Sequence, residues 1–309
     1  MAKWISVHAW YHDLARQDEF ILGCIRPIVA ALEKEAMLRR FFYIRYLSGG
    51  PHIRLRVLPE PGAEDDCRAL IERELSSYLR DRPSQPEADS LRWGHRGVEP
   101  EPDNTWRYVA YDPEVERYGG EAGIELAEAH FEVSTRTAFE VLNRSVGMAD
   151  PTGAKLAYAL QLMSVLVLAA GFRGPLTYRF LEDCLRHVYV DEYEDDDYQS
   201  VFRRLRDPLV SCFKHLGTLE VDWALGGDQV LAFWGRSNTE LLAALAERLE
   251  LAPAPWRKPV RALGNAKAKY VRIVHSYLHM FLNRLGFMGR QEERIYRLAR
   301  DAWQRVALS

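Results

Sequence analysis

Nine residues, Gly49-Gly50-Pro51-His52-Ile53-Arg54-Leu55-Arg56-Val57, constrain this chain more than any others. A Gly-Gly-Pro turn followed by strict alternation predicts a hairpin strand. Ile53, Leu55 and Val57 then share one face, and His52, Arg54 and Arg56 the other. The apolar trio can bury against helices. The cationic trio needs solvent, an acidic partner or an anionic ligand, because an unpaired guanidinium is costly to bury. A planar guanidinium fork pairs with two oxygens at once, which suits a carboxylate or a phosphate. On these residues alone, a solvated sheet edge is the competing reading.

The flanking sequence extends the hairpin into a larger pattern. Lys3 to Tyr11 alternates as a strand. Asp18 to Arg40 reads as an amphipathic helix with Pro27 predicting either a kink or a start near Arg26. Phe41 to Leu47 and His52 to Leu58 pair across Ser48-Gly49-Gly50-Pro51. A second helix covers Glu64 to Arg80, a Pro- and charge-rich connector runs from Asp81 to Glu101, and Thr105 to Tyr111 is a further strand. The order β-α-β-β-α-β matches the split βαβ arrangement of ferredoxin-like folds. Beyond Ala122 the periodicity is helical, over Ile124 to Asn143, Pro151 to Ala170, Thr177 to Val190, Asp195 to Leu216, Thr239 to Glu250, Lys267 to Leu285 and Gln291 to Val306. Gly171 to Pro175 and the proline-rich Leu251 to Trp256 break it. The expected class is α+β, with a sheet part over 1–120 and a mainly helical part over 121–309, integrated because the sheet's second face needs a cover.

Composition excludes several functions. A net charge of −3 on 309 residues gives no electrostatic ground for nucleic-acid binding. No apolar run is expected to reach membrane-spanning length; Leu160 to Phe172, the longest candidate, carries Gln161 and Ser164 and suits a buried helix. The N-terminus lacks a signal peptide's apolar core and reads directly as strand. Cys24, Cys67, Cys184 and Cys212 are scattered without metal-ligand spacing, as expected of reduced thiols in a cytoplasmic protein.

Two more segments carry chemistry. Glu116-Arg117-Tyr118-Gly119-Gly120 places a guanidinium beside a Gly pair at the junction of the two parts, where ligand clefts tend to form. On a late helix, His275, His279 and Leu282 share a stripe with Asn283 beside them. Two histidines at i, i+4 resemble half a zinc site, but Ser276-Tyr277-Leu278 intervene where a catalytic Glu would stand. A single histidine acting on protons, or a hydrogen-bonded core histidine, accounts for them without a metal. The acidic run Asp191 to Asp197 is a solvated loop or cap by composition. Gly-x-Ser-x-Gly is absent, and no Lys-Ser or Lys-Thr follows the Gly pair at phosphate-loop spacing.

Taken in order, Pro51-His52-Ile53-Arg54-Leu55-Arg56, Glu116-Arg117-Tyr118-Gly119-Gly120 and His279-Met280-x-x-Asn283-Arg284 resemble the lantibiotic dehydratase C-terminal family, also called the thiopeptide-type bacteriocin biosynthesis domain. The resemblance covers almost the whole chain and suggests a stand-alone member of a split system. It implies a precursor peptide with a leader as substrate, a glutamyl-tRNA-dependent glutamylating protein as partner, and no metal, organic cofactor, nucleic acid or membrane. Two activities are implied: elimination of glutamate from glutamylated Ser or Thr, giving dehydroalanine or dehydrobutyrine, and aza-[4+2] cycloaddition of two dehydroalanines to a pyridine with loss of water and leader. By resemblance the catalytic positions are Arg56, Arg117 and His279, with substrate contacts at His52, Arg54, Tyr118, His275, Asn283 and Arg284. Cycloaddition has no glutamate to hold, so the two arginines favour the lyase. A non-catalytic leader-peptide binder that adds a strand to the sheet edge is the third possibility.

Overall fold

The computed structural model describes residues 3–86, 98–187, 197–218, 227–251 and 265–308. The chain divides into two compact units, Met1–Pro113 with Ser134–Asn143, and Glu114–Val133 with Arg144–Ser309.

In the first unit, strands β1 (Ile5–Trp10), β2 (Leu38–Tyr46), β3 (His52–Pro59) and β4 (Thr105–Tyr108) form one antiparallel sheet in the order β2-β3-β1-β4. The predicted hairpin is present, with Tyr46 opposite His52 and Phe42 opposite Arg56. Alternation separates the faces as the sequence requires. Ile5, Val7, Ala9, Phe41, Tyr43, Ile53, Leu55 and Val57 are all buried. Helices α2 (Arg26–Lys34) and α3 (Glu64–Asp81) contribute Ile28, Val29, Leu32, Leu70, Ile71 and Leu75 to the same core.

The single helix expected over Asp18 to Arg40 is instead a 3₁₀ turn (Leu14–Arg16), a short α1 (Gln17–Phe20), a π-helical turn (Ile21–Ile25) and then α2. Pro27 falls in the first turn of α2, where its missing N–H costs least, and the wider π turn takes up the mismatch. The helix stops at Lys34 because Ala36 turns left-handed, with φ 53°, and Leu38 opens β2 opposite Pro59. At the other end of the sheet, β4 is shorter than expected and stops at Tyr108.

The second unit is helical among its described residues. Helix α4 (Glu121–Val146) lends its middle to the sheet unit, and α5 (Pro151–Ala169), α6 (Pro175–Leu185), α7 (Tyr198–Thr218), α8 (Gln229–Arg248), α9 (Asn265–Arg284) and α10 (Arg290–Leu308) follow. Helix α8 begins ten residues before the expected Thr239, because the Asp228 carboxylate caps it by accepting from the Val230 amide at 2.8 Å. Indole N–H groups tie the bundle: Trp234 donates to the Leu162 carbonyl at 2.7 Å and Trp303 to Ser164 Oγ at 3.0 Å. By length and composition α5 could cross a membrane, which the sequence reading did not allow, yet Ala159 to Leu168 is almost wholly buried inside the unit. The acidic run Asp191 to Asp196 and the linker Ala252 to Trp256 lie outside the described residues.

Candidate active site

Each unit holds a group of cationic and imidazole side chains. In the sheet unit they lie on the face opposite the apolar core. Pairing register aligns Arg107, His8 and Arg54 across β4, β1 and β3, with Ser6 opposite Arg56 and Trp10 opposite His52. Of the surroundings open to the cationic face, the arginine strand does not take the solvated edge. His52 and Arg56 are buried and Arg54 is half-buried. Aromatic rings replace water around the guanidinium groups. Arg56 Cζ lies 5.1 Å from the Tyr111 ring centroid and 5.5 Å from that of Phe42, while Arg54 Cζ sits 3.4 Å over Tyr46.

His52 is held at both nitrogens. Its Nδ1 is 2.7 Å from the Gly50 carbonyl and its Nε2 is 3.0 Å from Arg54 Nε. A carbonyl only accepts and a guanidinium N–H only donates, so the neutral ring carries its proton on Nδ1. Burial, then the nearby Arg54 and Arg56 charges, hold the His52 pKa down to about 4. His8, stacked 5.1 Å from His52, is pushed down to about 3 by burial and then by Arg54. Both rings are therefore uncharged at neutral pH. Gly50 is required at the turn: its φ is +90°, and a Cβ there would lie 2.5 Å from His12 Nε2.

In the helical unit, Arg117 precedes the turn into α4, where Gly119 and Gly120 both have positive φ. Its Nε donates to Ser276 Oγ at 3.1 Å, and its Nη1 reaches both Glu114 oxygens at 3.0 and 3.1 Å. A pocket of about 350 Å³ opens beside it, lined among others by Asp183, His187, Lys269, Arg272, His275 and Ser276. His275 lies 5.7 Å from the His187 ring, and burial followed by the neighbouring His187, His279 and Arg117 charges lowers its pKa to about 4. One turn further on α9, His279 Nδ1 contacts both oxygens of Glu292 at 2.8 and 3.0 Å.

The remaining expected contacts are buried. Tyr118 is 2% exposed, stacked against Tyr277 and edge-on to Phe131. Arg284 is fully buried, donating to the Met280 carbonyl at 2.7 Å with its guanidinium 5.3 Å from the Phe131 ring centroid. Asn283 is 8% exposed. Arg117, by contrast, is exposed, and His275 and His279 are half-buried.

The model of the family described as lantibiotic biosynthesis dehydratase C-term matches residues 4–303. The chain belongs to that family. Among curated proteins none matches the chain significantly. Solved structures with the same fold include the lantibiotic dehydratase relative MibB, a tRNA-dependent enzyme from Microbispora sp. 107891. It has 21% identity and a TM-score of 0.65 over 97% of this chain and 28% of that one. The pyridine synthase TbtD from thiomuracin biosynthesis has 21% identity and a TM-score of 0.70, over 99% of both chains. TsrL has 17% identity and a TM-score of 0.63, covering 98% of this chain and 95% of that one.

Several residues of the lantibiotic dehydratase fold here escaped the sequence reading. His8 faces Arg54 only through strand register, Ser276 was passed over between the two histidines of α9, and Glu292 meets His279 from the next helix. Glu114 carried a signal, since an acid three residues before Arg117 is placed to pair with it on one helical turn.

Proposed function

We propose that this protein eliminates glutamate from glutamylated Ser or Thr residues of a leader-bearing precursor peptide, leaving dehydroalanine or dehydrobutyrine. The observation that carries the reading is the small pocket beside Arg117, where Arg117, Lys269 and Arg272 outnumber the carboxylates of Glu116 and Asp183 and whose volume of about 350 Å³ suits a glutamyl-sized group rather than a folded macrocycle. Arg117, already oriented by Ser276 and Glu114, would hold a carboxylate of the glutamyl group. His279 would take the α-proton. The Cα–H pair becomes the new double bond, the Cβ–O bond breaks, and its electrons leave on glutamate.

The reading entails a glutamylating partner that draws on glutamyl-tRNA in the cytoplasm. The strand order β2-β3-β1-β4, antiparallel throughout, supports a ferredoxin-like description of the sheet unit. A pyridine synthase is the alternative, favoured by the likeness to TbtD extending over 99% of both chains.

Mass spectrometry after incubation with a glutamylated precursor separates these activities. Release of glutamate with a dehydrated peptide is the expected result. Loss of the leader from an already dehydrated peptide would establish ring formation, and an unchanged precursor that binds through its leader would establish a non-catalytic subunit.

A further inference from the structure

We infer that Glu292 is the positioning residue that fixes His279 in one tautomer and thereby aims its free nitrogen at the substrate. The inference rests on the proton-handling role proposed for His279.

The two side chains differ sharply in surroundings. The Glu292 carboxylate is 4% exposed, whereas the imidazole is 43% exposed. Both carboxylate oxygens converge on Nδ1, at 2.8 and 3.0 Å, and among the described residues no other side chain bonds them. Glu292 lies in the first turn of α10, where the positive end of the helix helps an acidic group tolerate burial. A carboxylate accepts and does not donate, so the proton on that ring edge belongs to Nδ1. Nε2 is left as the ring's remaining polar atom, with its lone pair available to a substrate.

The neighbouring histidines show that this pairing is selective. His275, one turn earlier, faces the rings of His187 and Tyr296. Buried His130 is held at Nδ1 by Asn238 Oδ1 at 2.8 Å, a neutral amide, and stacks 3.9 Å from Tyr277. Of the three, His279 combines a carboxylate at one nitrogen with an open edge at the other. When Nε2 accepts the α-proton, the resulting imidazolium already faces its counter-charge.

Nitrogen-15 NMR of histidine-labelled protein reads the tautomer directly, with His279→Gln assigning the resonance. In the unmodified protein, the neutral ring should carry its proton on Nδ1. Glu292→Gln, nearly isosteric, should lose the lock because an amide can donate as well as accept, and the Nε2–H form should gain. Turnover should fall about 10²-fold, with KM within about two-fold because the interaction matters in the transition state. An Nε2–H tautomer in the unmodified protein overturns the inference, and that measurement needs no variant to fold. So does full turnover in Glu292→Gln while His279→Gln is inactive. Full turnover in both variants defeats the assignment of His279 itself, a separate failure that the substrate-free tautomer measurement distinguishes.

Discussion

Arg54 donates its Nε–H to His52 Nε2 at 3.0 Å while its guanidinium lies 3.4 Å above the Tyr46 ring. Two contacts on different sides leave the guanidinium little rotational freedom, so the cation is presented in one orientation. Under the substrate-contact role proposed for Arg54, His52 supports that cation through this bond while the Gly50 carbonyl anchors the ring.

His52→Ala should therefore lower turnover by about ten-fold, the worth of one hydrogen bond to a charged group. The circular-dichroism spectrum should remain that of the parent. Wild-type kinetics in this variant would mean that Arg54 needs no such support.

At the second cation the expected effects divide. Arg117→Ala removes a charge proposed to meet the leaving carboxylate and should cost about 10²-fold or more in turnover. Ser276→Ala removes only one neutral partner of Arg117 and should cost about five-fold. Steady-state kinetics on a glutamylated precursor measures both, and equal losses would contradict the assignment.

Buried imidazoles, His8, His52 and His130 among them, make stability depend on pH. His8 and His130 are pushed down to about 3 and His52 to about 4, in each case chiefly by burial. Near pH 6.5 the unfolded chain takes up protons at these sites and the folded chain does not. Stability therefore falls as pH drops from about 6.5 toward 5, before most carboxylates titrate. Calorimetry across that window should show Tm decreasing, with a shallower decrease in His130→Phe. A flat profile would mean that the rings protonate without disturbing the fold.

Gly50→Ala tests the turn that anchors His52. A side chain at φ +90° facing His12 at 2.5 Å should destabilise the protein by about 1–3 kcal/mol in urea unfolding. An unchanged midpoint would show that the loop relaxes freely.

What was legible in the sequence followed from periodicity. Alternation assigned His52, Arg54 and Arg56 to one sheet face, and the Gly-Gly-Pro turn fixed the hairpin register. Pro27 marked the start of α2 because its effect on backbone hydrogen bonding is local. The errors arose where distant contacts decide. Glu35, Arg39 and Arg40 suit a helix surface, but pairing of Leu38 with Pro59 draws that segment into β2. Gly235 and buried Asn238 blur the apolar stripe of early α8, although Asn238 is occupied with His130. In the site, single residues were readable and partners were not: no local rule links His279 to a carboxylate thirteen positions away.

The path of α4 sets a limit on how this molecule can be dissected. Phe139 stacks 6.2 Å from Phe41 and 5.5 Å from Tyr43, and Thr135 accepts from the Tyr43 amide at 3.3 Å. A fragment ending at residue 113 would lack these ten returning residues and leave two aromatic side chains of β2 bare. During synthesis, the first strands to leave the ribosome must wait for a helix encoded some ninety codons downstream before their edge is sealed.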